Sequence, residues 1–144
     1  MLGFPLEDLQ VTITDLVAEQ SEVPTMFYSA ASKAVLSLVP KQQVKLLEPI
    51  MQLEVAVSEQ HLGNVLADLT GHRRGMVGGV DLDLSGRRRL VHAHVPLKEL
   101  VGYSTYLRSV SQGTADFYMN FAQYGELSAA EQQAVFEQFF YRIE

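Results

Sequence analysis

The stretch His94-Val95-Pro96-Leu97-Lys98-Glu99-Leu100-Val101-Gly102-Tyr103-Ser104-Thr105-Tyr106-Leu107-Arg108-Ser109-Val110-Ser111-Gln112-Gly113-Thr114-Ala115-Asp116-Phe117 reads as a strand end, a helix, a glycine turn and a new strand in one run. Pro96 can open a helix in its first turn, where its missing N–H has no intrahelical partner to lose. The core face of that helix is expected at Leu97, Leu100, Val101 and Leu107. Beyond Ser111-Gln112-Gly113, Ala115, Phe117, Met119 and Phe121 alternate with Thr114, Asp116, Tyr118 and Asn120. That period of two marks a half-buried strand.

Upstream, Val91, Ala93 and Val95 alternate, as do Val80, Leu82 and Leu84 with Asp81 and Asp83 between them. Ser85-Gly86 makes the tight turn that joins them into a β-hairpin. Leu62, Val65, Leu66 and Leu69 line one face of a preceding helix. Ser58 is its expected N-cap, Glu59 complements its dipole, and Gly75 is the expected left-handed residue that ends it. Met51, Leu53, Val55 and Val57 form a first strand, entered through Pro49, where the missing donor suits an edge or first position. The order from Pro49 to Tyr124 is therefore βαββαβ. This is an α+β, ferredoxin-like fold with two helices on one face of an antiparallel sheet.

Two segments flank this unit. Phe4 to Asp15 alternates through Leu9, Val11 and Ile13 and is expected to be a strand. An acidic loop from Ala18 to Pro24 leads to a helix whose apolar positions are Met26, Ala30, Ala34 and Leu38, with Phe27, Ala31 and Val35 beside them, ended by Pro40. One strand and one helix bury too little apolar surface to offset chain entropy, so residues 1–45 are expected either to pack on the unit of residues 46–144, or to pair with another copy, or to be the remnant of a domain whose beginning is missing. The polar connection Lys41 to Lys45 is the boundary. Ser128 and Glu131 form a capping box ahead of a last helix carrying Val135, Phe136, Phe139, Phe140 and Ile143. Those aromatics are expected to pack on one of the two units, the other reading being a docking surface for a neighbour.

Composition narrows the function. With 144 residues, 47% of them hydrophobic and 19% charged, the chain has the makings of a packed domain rather than a disordered tail. It has no apolar run of about 18 residues and no basic flank with an apolar leader, so neither a membrane span nor a targeting signal is expected. It has no cysteine, which removes disulfides and thiolate metal sites and leaves the compartment open. A formal net charge of -6 argues against bulk nucleic-acid binding and against DNA as a partner. The charge is unevenly spread, however. From Gly71 to Lys98 six basic residues face two acidic ones, a local charge of about +4.

Chemistry is sparse. Nothing matches G-x-x-x-x-G-K-S/T, and Gly71, Gly75, Gly78 and Gly79 do not make G-x-G-x-x-G, so a nucleotide phosphate has no cradle here. His92 and His94 share a strand face, and with His72 or His61 they could in principle form a three-histidine metal site, but such pairs are usually ordinary surface residues. Ser104, Ser109 and Ser111 lie on no nucleophile elbow, and Asp81 and Asp83 read as a solvated face. No catalytic residue, cofactor site or metal site is expected. The positive stretch is the best physical site: Arg73 and Arg74 at a helix end, and Arg87, Arg88 and Arg89 at a hairpin tip, where side chains reach phosphate. A dipole role for the first pair and a role protecting an exposed strand edge for the triplet are the structural alternatives.

The chain resembles the C-terminal end of elongation factor G, a translational GTPase. The resemblance is carried by Gly3-Phe4-Pro5-Leu6 with Asp8, Phe27 with Ala30-Ala31-Ser32 and Ala34, Leu47-Glu48-Pro49, Asp68-Leu69 and Arg73-Arg74-Gly75. Val95-Pro96-Leu97, Gly102-Tyr103, Leu107-Arg108-Ser109 and Gln112-Gly113 continue it. It implies that residues 1–45 are the last third of the family's fourth domain and residues 46–144 its fifth. It also implies GTP and Mg in an N-terminal domain outside this chain, and a ribosome-binding role in translocation or recycling. The implied partners are large-subunit rRNA and stalk-base proteins, with tRNA or ribosome recycling factor, and the implied compartment is the mitochondrial matrix or the cytoplasm. The distal tip would be Ala18, Glu19, Gln20, Ser21 and Glu22. Family members carry His-Asp where Ala18 and Glu19 stand here, a departure that weakens the case for ordinary translocation. Val65 to Leu69 is similar to the mitochondrial recycling paralogue, and this favours the matrix. The competing class is a free-standing ferredoxin-like module that binds a protein or small ligand.

Overall fold

The computed structural model describes residues 4–15, 17, 24–39 and 44–140. Two compact units divide the chain, one from Leu46 to Ser128 and the other comprising Met1–Lys45 and Ala129–Glu144. The last helix therefore groups with the N-terminal segment, whereas the sequence pattern joins it to the second unit.

The Leu46–Ser128 unit is built from β1 (Leu47–Val57), α2 (Glu59–Gly71), β2 (Met76–Leu82), β3 (Arg89–Pro96), a 3-10 turn (Leu97–Leu100), α3 (Tyr103–Val110) and β4 (Asp116–Glu126). The α1 helix (Pro24–Leu38) precedes it and α4 (Ala129–Phe140) follows. The four strands form one antiparallel sheet in the order β2-β3-β1-β4, the ferredoxin-like arrangement. Pro49 pairs only with Tyr124 on β4, because β3 reaches no further than Ile50, so its missing N–H breaks no ladder bond on that side.

Alternation along the two central strands decides which face is buried. Leu53, Val55 and Val57 of β1 and Val91, Ala93 and Val95 of β3 are almost completely buried, together with Val65 and Leu69 of α2 and Tyr103 and Leu107 of α3. The intervening residues Gln52, Glu54, His92 and His94 face the other way, as a period of two requires. At about 25 cal/mol per Å2 of apolar surface removed from water, each fully buried Val or Leu contributes about 1.5–3 kcal/mol before entropy is counted.

Three local expectations are corrected. The helix expected from Pro96 is broken into a 3-10 turn and α3 by Gly102, which sits at φ +76. That break turns Val101 outward, at 81% exposure, and brings Tyr103 into the core in its place. At the end of α2 the left-handed residue is Arg74 at φ 51, not Gly75. Gly75 is needed for another reason: its N–H donates to Leu69 O at 2.7 Å, and a Cβ there would lie 2.6 Å from that same oxygen. Ser58 takes the extended backbone of an N-cap, but its hydroxyl makes no capping bond; the His61 N–H goes to Ser58's own carbonyl at 3.0 Å.

In the other unit, α1 occupies the expected span. Its half-buried positions are Phe27 and Val35, while Met26 and Leu38 are exposed. Phe4 to Asp15 forms no strand, and Leu9, Val11 and Ile13 are exposed. Alternation supplies a face for a strand but not the neighbouring backbone that makes one, and no described strand pairs with this segment. On α4, Val135 and Phe136 are half-buried. The distal-tip residues Ala18, Glu19, Gln20, Ser21 and Glu22, and Pro40 and Ile143, lie outside the described residues.

Candidate functional site

The five arginines singled out by sequence fall into two groups with different physical standing. Arg73 leaves the end of α2 and turns inward, while the Arg74 side chain stays 36% exposed and lies against acids at the surface. Arg73 Nε donates to Asp68 Oδ2 at 2.5 Å, its Nη1 donates to the Glu99 carbonyl, and its guanidinium lies 4.7 Å from the Tyr103 ring centre and 5.1 Å from that of Tyr106. The two tyrosine rings stack at 6.3 Å. The Arg73 and Asp68 side chains are only 14% and 7% exposed. Burial, followed by the Asp68 carboxylate, raises the pKa of both tyrosine hydroxyls above the usual phenol value. Arg74 makes a two-pronged contact with Glu48, at 2.9 and 3.0 Å, and a third bond to Glu99 at 3.1 Å. Both guanidinium groups thus tie the end of α2 to the 3-10 turn, and Arg74 ties it to the start of β1 as well. They serve as internal braces, and sequence reasoning missed the acids that hold them. Asp68, little more than one helical turn before Arg73, is the single partner whose spacing carries a signal.

The hairpin tip is different. Asp83 organises it: its carboxylate accepts from Ser85 Oγ at 2.7 and 2.8 Å, from the Arg87 and Arg88 backbone N–H groups at 3.1 and 3.2 Å, and from Arg88 Nε at 3.2 Å. The hydrogen bond from Ser85, with those from Arg88 and Arg87, holds the Asp83 carboxyl well below the usual carboxylate range. Gly86, at φ +66, closes the turn with its N–H on Asp83 O at 2.9 Å. Asp83 is thus not the solvated face residue that its alternation suggests; it is the acceptor that shapes the tip.

That scaffold leaves Arg87 exposed and Arg88 and Arg89 half-exposed beside it. The Arg87 guanidinium has no partner among the described residues, and the adjacent Leu84 side chain is fully exposed. Arg88 Nη1 reaches Asp116 Oδ2 at 2.9 Å, and Arg89 Nε pairs with Glu59. These two acids are 81% and 70% exposed, in contrast to Asp68 and Glu48. Hydrogen bonds to Asp116 and then Asp83 hold the Arg88 pKa above its ordinary value.

Elsewhere the structure offers little chemistry. His92 stands between Glu54, at 3.5 Å, and Asp81, at 3.3 Å, on the sheet face opposite the Val91, Ala93 and Val95 core residues. Among the described residues no three His, Asp or Glu side chains are arranged to hold a metal ion. The open cleft between α3 and β4, lined by Ser104, Leu107, Arg108, Ala115, Asp116 and Phe117, measures about 200 Å3. That is smaller than the few hundred cubic ångströms typical of ligand pockets. No described helix is long and apolar enough to cross a membrane.

The Leu46–Ser128 unit is thus a ferredoxin-like α+β domain with three arginines at its β2–β3 tip. Residues 45–135 match the family model for the elongation factor G C-terminus. A solved structure from Thermus thermophilus is similar, at 33% identity over 66% of this chain with a TM-score of 0.60. The matched region spans 14% of that protein's length. This chain belongs to the elongation factor G family, and its Leu46–Ser128 unit is the family's C-terminal domain.

Proposed function

We propose that this chain supplies a ribosome-contacting end of an elongation factor G-like translational GTPase, and that the β2–β3 tip is its contact with the phosphates of large-subunit rRNA. The observation that carries this reading is the contrast between the two arginine groups. Arg73 is held inside the fold and Arg74 is paired to the little-exposed Glu48, whereas Arg87 has no partner among the described residues and Arg88 and Arg89 each reach an acid that lies largely in water, Asp116 and Glu59. Guanidinium groups on a rigid tip can form paired hydrogen bonds to phosphate oxygens. Such contacts fix position rather than read sequence, as suits a factor that docks on structured RNA by shape.

On this reading the GTPase step, with GTP and Mg, belongs to a part of the parent protein outside this chain, and stalk-base proteins, tRNA or recycling factor are the further partners. The Ala18-Glu19 departure favours recycling over translocation, and with it the mitochondrial matrix over the cytoplasm. Co-sedimentation of the chain with ribosomes over a salt series tests the reading. Phosphate contacts predict binding that weakens steeply with salt, and a much weaker interaction for the Arg87→Ala/Arg88→Ala/Arg89→Ala variant. Salt-independent binding that the triple substitution leaves intact would point instead to an apolar protein contact, as a free-standing module would make.

A further inference from the structure

Two of the acids that hold Arg88 and Arg89, Asp116 and Glu59, are unlike the Asp68 and Glu48 carboxylates that hold Arg73 and Arg74. Asp68 and Glu48 are buried beside their partners, where removing one charge would strand the other. Glu59 and Asp116 are largely in water and come from distant elements, the first turn of α2 and the first residue of β4. Exposed pairs of this kind contribute little, so a competing anion can displace the acid without unfolding anything.

Geometry adds a second point. Arg89 lies in register with Val57 and Asp116 with Ala56, and these adjacent β1 residues point to opposite faces of the sheet. One exposed acid therefore guards each side of the same hairpin. Asp83 stays with Arg88 throughout, since Ser85 and two backbone amides fix it in place.

We infer that Glu59 and Asp116 are built-in competitors of phosphate: each occupies an arginine of the tip until an RNA phosphate takes its place. This inference rests on the rRNA-contact reading above. The exchange swaps one ion pair for another, Arg89–Glu59 and Arg88–Asp116 for two arginine–phosphate pairs, and returns two hydrated carboxylates to solvent. Its effect is to hold the affinity of the tip below what three free arginines would give, which suits a contact that must release. It also assigns to two acids a role in setting affinity at a basic site.

The test is binding of the full chain to a short fluorescein-labelled RNA duplex at low salt, read by anisotropy. Glu59→Gln and Asp116→Asn are each expected to tighten binding about two- to fivefold, the factor equivalent to the strength of an exposed pair. Glu137→Gln on α4 is the control, because it changes the net charge equally from an exposed position away from the hairpin in sequence. The gain from Glu59→Gln should vanish when Arg89 is already alanine, and that from Asp116→Asn should vanish when Arg88 is. Gains no larger than the control, or gains that persist in the arginine-free backgrounds, overturn the inference. If the acid variants match the control while the triple arginine variant loses binding, the competitor role fails and the contact reading stands. If wild type does not bind, or the triple variant binds as wild type does, both fail. Thermal unfolding of every variant by circular dichroism shows that the fold is kept.

Discussion

Replacing Arg73 separates an internal brace from an RNA contact most sharply. In Arg73→Ala, the Asp68 carboxylate, only 7% exposed, loses its 2.5 Å partner, the Glu99 carbonyl loses a donor, and the Tyr103 and Tyr106 rings lose the cation packed against them. Breaking a buried pair from one side costs about 3–5 kcal/mol, chiefly because a charge is left without compensation. A small domain is stable by about 5–15 kcal/mol in all, so the loss is a large fraction of the total. For a unit of this size it corresponds to a fall in Tm of about 12–40 °C. Urea unfolding followed by circular dichroism measures it. The double variant Arg73→Met/Asp68→Asn should recover much of the loss, because neither charge then remains buried alone. A loss under about 1 kcal/mol from Arg73→Ala, accompanied by weaker ribosome binding, would refute the reasoning and return Arg73 to the RNA surface.

Tyr103 is buried and its hydroxyl has no hydrogen-bond partner among the described residues, so Tyr103→Phe should be neutral or stabilising by about 1 kcal/mol in the same urea assay. The raised pKa of that hydroxyl also fixes a sign: below about pH 10 its contribution is complete, and as pH rises further the unfolded tyrosine ionises while the folded one resists. Stability measured from pH 8 upward should therefore fall beyond that point, and less so in Tyr103→Phe. Asp83 has the opposite sign, its depressed pKa giving stability that is present above about pH 4 and lost as pH falls through its folded value. The Arg87 and Arg88 amide resonances should accordingly keep their shifts to lower pH than those near an ordinary aspartate. Gly75→Ala should destabilise by about 1–3 kcal/mol, because the added Cβ would meet Leu69 O and press on Val95 Cγ2 at 3.2 Å.

The strand alternation of Leu53, Val55, Val57 and of Val91, Ala93, Val95 is legible from sequence because period and burial coincide there. The hairpin is legible only in part: Ser85-Gly86 marks the reversal, but β2 stops at Leu82 and β3 begins at Arg89, so a loop shaped by Asp83 replaces the tight turn and Leu84 leaves the strand. Phe4 to Asp15 misleads for the reason that makes it look convincing: its alternation is intact, but strand formation depends on a neighbour that the segment itself cannot specify. Val101 and Tyr103 exchange places because a continuous helix after Pro96 ignores Gly102, whose positive φ resets the helical phase. The arginines are visible as a cluster, yet what distinguishes them is not. Arg74 meets acids 26 and 25 residues away, Arg88 one 28 away and Arg89 one 30 away, and no local spacing encodes those pairings.

The most direct test of the central claim uses the absence of cysteine, which lets a single introduced thiol carry a tethered hydroxyl-radical cleaver. Placed at the exposed tip through Leu84→Cys, which leaves the three arginines in place, the probe should cut large-subunit rRNA at discrete positions in the ribosome complex. The same probe at Ala130→Cys on α4 should give a different and weaker pattern. Discrete cleavage from position 84 that disappears when Arg87, Arg88 and Arg89 are alanine is the predicted result. Ribosome binding with no rRNA cleavage from position 84 would contradict the account.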